Sequence, residues 1–193
     1  MMVFMQAAHA TTILQVHMDS MLKTAQLVFS GRVLSSEARW LEDGSTIKTF
    51  IVFDVQEIIS GNYSEDELTL SFEGGTVAED TIEISGMTMP KLGEKGIYFV
   101  ENIDRPLVNP IVGWSQGHFL IKNNEAGEEI VLTQNELGVT KMELQSPTAQ
   151  QNSNEINITG IADGITASKT TNTAMSAERF KQNLLLRLKQ IKQ

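Results

Sequence analysis

The sequence predicts a mainly β protein: an antiparallel barrel of the OB or netrin-like kind, flanked by an N-terminal and a C-terminal α-helix. Three observations carry that expectation. From Leu27 onward apolar residues recur at every second position, the period of a half-buried strand. Turn residues break this alternation at short intervals, at Asp43-Gly44, Ser60-Gly61-Asn62, Gly74-Gly75 and residues 122–128, leaving no room for crossover helices. Helical spacing is confined to the two ends.

Taken in order, residues 11–16 alternate as a short extended piece. Leu14, Met18, Met21, Leu22 and Ala25 then share one helical face, predicting a helix of about three turns with Asp19 or Ser20 near its start. Leu27, Phe29, Gly31 and Val33 line one face of a strand running towards Trp40. Asp43-Gly44 supplies a hairpin turn, because glycine takes a positive φ without steric cost. In the return strand Ile47, Thr49, Ile51, Phe53 and Val55 point one way; Lys48, Phe50, Val52, Asp54 and Gln56 point the other. Carried to Ile59 it spans roughly 43 Å, a length suited to a strand that serves two halves of a closed or nearly closed barrel.

Leu68, Leu70 and Phe72 form the next strand, and Ile82 and Ile84 a shorter one after a chain reversal at Gly74-Gly75. Residues 97–100 are continuously apolar, so both faces are expected to be covered. Residues 111–114 and 117–121 read as strands, and residues 130–132 as the close of the last hairpin. Residues 146–175 are rich in Ser, Thr, Asn, Gln, Ala and Gly, the composition of a polar linker. Ser176 then caps an amphipathic helix in which Phe180, Leu184, Leu188 and Ile191 recur at helical spacing. Arg179, Lys181, Arg187, Lys189 and Lys192 make this end basic. It is expected to dock on the acidic body, a membrane-surface or partner-binding helix being the alternative.

The first ten residues carry no Lys, Arg, Asp or Glu and end in Ala8-His9-Ala10, a small-x-small pattern like a signal-peptidase site. The expected organisation is therefore a signal-peptide remnant at 1–10, a β-barrel domain with its helix at 11–145, a linker at 146–175 and a helix at 176–193. Location is expected to be periplasmic or secreted. No stretch approaches the ~20 apolar residues of a membrane-spanning helix. Against 15 basic residues stand 24 acidic ones, for a net charge of −9, which argues against nucleic acid as a partner. The chain has no cysteine, which excludes disulfides, thiolate catalysis and Cys-ligated metals.

The order of these segments resembles a family of exported bacterial proteins of uncharacterised role. The resemblance rests on Ala25-Gln26-Leu27-Val28-Phe29-Ser30-Gly31-Arg32-Val33, the Gly74-Gly75-Thr76 segment, Gly86-Met87-Thr88-Met89-Pro90, Gly93-Glu94-Lys95-Gly96-Ile97-Tyr98-Phe99-Val100 and Gln116-Gly117-His118-Phe119. It spans residues 11–132, departing from the family pattern at Gln26, where an acidic residue is usual, and by one extra residue between Met87 and Pro90. More remotely the order is similar to netrin-like domains and tissue inhibitors of metalloproteinases. That likeness implies a five-stranded OB-type barrel with terminal helices. Those inhibitors chelate a protease's zinc through a disulfide-anchored N-terminal cysteine, which this chain lacks, so their mechanism does not carry over. A freed amino group at Thr11 would be the only counterpart.

Candidate chemistry is sparse. Met87, Met89 and His118 are soft-metal donors, but a thioether site for copper(I) needs three or four ligands together, and Gly86, Pro90, Gly93 and Gly96 fit a loop that turns before a buried strand. The Gly74-Gly75 pair has no phosphate-loop context, and no nucleophile-elbow pattern accompanies any histidine. The acidic clusters at 65–67, 79–80 and 128–129 lack calcium-loop spacing. Trp114, in a Gly-Trp-Ser-Gln-Gly break, is placed either to plug a barrel end or to serve as a recognition aromatic. No catalytic residue, cofactor or metal is assigned. Trp40, Met87, Met89, Trp114 and His118 form the candidate recognition surface, and the expected function is non-enzymatic binding of another protein in the envelope or outside the cell. The alternatives are a protease-inhibitor-like module and a hydrolase whose carboxylates assemble only in the fold.

Overall fold

The computed structural model describes residues 14–143 and 160–191. Its frame is one hairpin: β1 (Leu27–Trp40) and β2 (Ile47–Ser60), each 14 residues long and paired antiparallel throughout. Asp43 Oδ1 accepts from the Ser45 backbone N–H at 3.0 Å and hydroxyl at 2.7 Å, and Gly44 takes a φ of +68°, so the Asp-Gly turn forms as its chemistry dictates. The register slips at three places: Ile59 and Gln56 are the extra residues on β2, and Leu34, between Val33 and Ser35, is the extra residue on β1. Each slip inserts a residue and bends the strand.

β3 (Glu67–Glu73) pairs with β2, and β6 (Lys95–Val100) with the first half of β1. β7 (His118–Asn123), β8 (Glu129–Thr133), β9 (Gly138–Met142) and β10 (Ile165–Ser168) continue the sheet in the order β10-β9-β8-β7-β6-β1-β2-β3, all antiparallel. A separate two-stranded piece, β4 (Gly75–Val77) with β5 (Asp80–Ile82), follows the reversal at Gly74 and Gly75, whose φ angles are +91° and +134°. The mainly β, antiparallel class with a helix towards each end is as expected. Among the described residues no ladder joins β10 to β3, so the pairing is that of an open eight-stranded sheet, and barrel closure is not part of it.

Both faces of the sheet are covered. On one, Val28, Ile97, Phe99, Phe119, Ile121, Val131 and Val139 meet the helices α1 (Met18–Thr24) and α2 (Ala177–Ile191), which contribute Met18, Met21, Leu22, Phe180, Leu184 and Leu188. On the other, Leu27, Phe29, Ile51, Phe53, Leu68, Leu70, Phe72, Tyr98 and Val100 form a second cluster closed by loops carrying Met87, Met89 and Ile103. Period-two alternation along β6 thus sends Ile97 and Phe99 to the helices and Tyr98 and Val100 to the second cluster, which is why its sequence is continuously apolar.

Three elements differ from expectation. α1 is only seven residues long and begins after His17, whose Nδ1 accepts from the Asp19 backbone N–H at 3.1 Å. Asp19 stands in its first turn, near the start as expected, and is buried against α2. Residues 111–114 do not form a strand: Ile111 makes one bridge to Val100, and Gly113 and Trp114, both in the left-handed region, then lead into a 3-10 turn, Trp114–Gly117. The sheet continues past residue 132 through β9 and β10, the latter inside the segment read as a linker; residues 144–159, which include the first part of that segment, and residues 1–13 with the signal-peptide reading, lie outside those described. α2 does dock on the body: Lys181 Nζ reaches Glu57 at 2.5 Å and the Arg187 guanidinium grips Asp19.

Candidate functional site

β1 outruns its neighbour β6, whereas β3 accompanies β2 as far as Lys48. β6 accompanies β1 only from Leu27 to Arg32, and the last bonds on that side are Val33 N–H to the Glu94 carbonyl at 2.9 Å and Gly93 N–H to the Val33 carbonyl at 3.0 Å. From residue 34 to residue 40 β1 is paired with β2 alone, and its other edge carries no ladder or backbone hydrogen bond among the described residues. This end is exposed: Leu34 is 44% and Trp40 40% accessible. Arg39 lies diagonally across the ladder from Phe50 and places its guanidinium 3.9 Å from the ring centre. Arg39, Trp40, Leu41, Glu42, Asp43 and Phe50 line a cleft of about 640 Å³ at the tip. The Ser45 hydroxyl and backbone N–H hold the Asp43 carboxyl below its usual range, so it stays charged there.

A second polar feature is internal. Tyr98 and His118 are direct partners across β6 and β7, with ring centres 5.0 Å apart. Glu94, two residues beyond Gly96 on the same side, sends Oε1 to His118 Nε2 at 2.7 Å and takes the Tyr98 hydroxyl at 3.4 Å. Gly96 makes this possible: a Cβ there would sit 2.9 Å from the Tyr98 ring and hydroxyl and 2.7 Å from the Phe119 carbonyl. Burial first, then the neighbouring Glu94 carboxylate, pushes the Tyr98 phenol well above its usual range. His118 is 2% exposed and its Nδ1 has no hydrogen-bond partner among the described residues. Glu94 also borders a cleft of about 250 Å³ with Arg32, Lys95 and Glu129, but Glu129 is taken by Lys95 Nζ at 2.6 Å. The two carboxylates of that cleft are thus each engaged within the chain.

The five residues singled out from sequence do not converge. Trp40 stands at the hairpin tip. Met87 and Met89 are half-buried against the second core cluster and border a cleft with β4 and β5. Trp114 is half-buried in the 3-10 turn. His118 is interior, so it adds nothing to a surface and stands apart from both methionines' cleft. Among the described residues no three His, Asp or Glu side chains gather as metal ligands. Thr11, the counterpart of an inhibitor's amino terminus, lies outside the described residues.

Sequence reasoning missed Arg39 with Phe50, Glu94 with His118, and Gln116. Gln116 is buried and acts as a strand substitute: its Oε1 accepts from Val16 N–H at 2.7 Å and its Nε2 donates to the Leu14 carbonyl at 2.9 Å. The first pair had a signal in the hairpin alternation, which sets Arg39 and Phe50 on one face. The other two are long-range meetings with none. No family model, curated protein or solved structure matches this chain. No helix among the described residues is long and apolar enough to cross a membrane.

Proposed function

We propose that this chain is a non-enzymatic binding module that acts outside the cytoplasm, periplasmic or secreted, and that its partner is another protein. The observation that carries the reading is the end of the β1–β2 hairpin. Exposed Trp40, the Arg39–Phe50 stack and the adjoining cleft put aromatic and cationic side chains at the tip of two paired strands, while Ile47 and Thr49 beside them face the core. Trp, Tyr and Arg are the side chains that most often dominate protein–protein binding energy. The compartment part of the reading is supported by the apolar opening residues with Ala8-His9-Ala10 and by the resemblance to exported bacterial proteins. The non-enzymatic part is supported by the engagement of Glu94 and Glu129 in internal bonds.

The test is affinity capture from envelope and culture-medium fractions of the host, with the wild-type chain and the Trp40→Ala variant as baits. A partner held by the wild type and weakened about tenfold or more in the variant is the expected result. Identical capture by both baits overturns the assignment of the site.

A further inference from the structure

We propose that the open edge of β1 over residues 34–40 receives an extended, basic segment of the partner protein as an added strand. This rests on the binding role above and specifies how it is met. The unpaired backbone of a strand edge is satisfied by another strand, and seven residues offer about 23 Å of pairing length. On that edge β6 has already left, and the Val33–Gly93–Glu94 bonds mark where the intramolecular ladder stops.

The charge on the edge selects the occupant. Glu37 and Glu42 have no ion-pair partner among the described residues, and Asp43, held as carboxylate by Ser45, adds a third negative charge against Arg39, the facing Lys48 being taken by Glu73 at 3.6 Å. That excess favours Lys or Arg on the incoming segment. It also disfavours a second copy of this chain. Antiparallel self-pairing centred anywhere from Ser36 to Ala38 sets the two Glu37 side chains opposite or diagonal to each other, where like charges repel. At the tip, the cleft between Trp40 and Phe50 offers room for an apolar or aromatic side chain at the end of the same segment.

The experiment uses a displayed library of random decapeptides panned on the full chain, with hydrogen exchange as readout. Enriched peptides are expected to carry alternating β-branched residues and at least one Lys or Arg. Their binding should slow exchange at amides within residues 34–40 by about tenfold or more. Methylating alternate backbone nitrogens of the peptide should abolish binding, and Glu37→Lys should weaken it about tenfold. No enrichment, or protection elsewhere with those amides unchanged, overturns the strand addition. So does concentration-dependent protection of the same amides in the protein alone with a dimer's mass, which assigns the edge to self-pairing. A captured partner that depends on Trp40 yet leaves these amides exchanging freely removes the strand addition and keeps the binding role. Peptide binding decides the strand addition whether or not a partner has been captured.

Discussion

The Arg187 guanidinium closes on the Asp19 carboxylate through both of its oxygens, tying the last helix to the first across 168 residues of sequence. Asp19 has a side chain only 5% exposed. Removing one partner leaves an uncompensated charge in the interior, so Arg187→Ala is expected to cost about 3 kcal/mol. Replacing both, with Asp19→Leu and Arg187→Met, should cost less than the single change, because no buried charge is left over. Urea unfolding of the variants beside the wild type checks the order.

Glu94 satisfies two interior groups at once. Glu94→Ala strands His118 Nε2 and the Tyr98 hydroxyl in a buried site, and each stranded group costs about 1–3 kcal/mol. Glu94→Gln retains an acceptor for one of them and is expected to lose less. Thermal melts of the two variants beside the wild type give the comparison.

Tyr98 makes stability sensitive to alkali. Its phenol is raised above the ordinary 10.0 by burial and by Glu94. Below that value neither the folded nor the unfolded chain ionises it, and its contribution is constant. Above it the unfolded chain ionises and the folded chain does not, so stability falls as pH rises. Tyr98→Phe should be less stable than the wild type at neutral pH, through loss of the bond to Glu94, yet should lose less on going to mild alkali. Of the two tyrosines, Tyr63 should supply the phenolate absorbance of the folded protein, and Tyr98 should add its own only on unfolding.

Gly96→Ala should destabilise by about 1–3 kcal/mol, since a methyl there meets the Phe119 carbonyl and the Tyr98 ring inside contact distance. The same variant should displace the Tyr98 hydroxyl from Glu94. A fall in urea midpoint together with earlier phenolate absorbance on alkaline titration would report both effects.

The hairpin was legible because burial alternates along β2: Ile47, Thr49, Ile51 and Phe53 face the core, while Lys48, Phe50, Val52 and Asp54 are only half-covered. α2 was legible for the same reason at helical period, with Phe180, Leu184 and Leu188 buried. β9 and β10 were not. Gly138–Met142 has one apolar residue in full burial beyond its glycine, and Ile165–Ser168 sits at the sheet margin with no residue fully covered, so neither carries an alternating hydrophobic signal. Residues 111–114 have the composition of a strand, but two successive left-handed residues turn the chain instead. At the site, Trp40 could be found from its type and its place beside a turn. The bareness of the adjacent edge could not, because it depends on where β6 stops.

The first core cluster draws on both Met21 and Leu184. During synthesis, the residues of α2 that shelter α1 are made long after it, since Asp19 and its partner Arg187 stand 168 residues apart. Until those residues emerge, Met18, Met21 and Leu22 lack half of their cover, and this part of the core closes late.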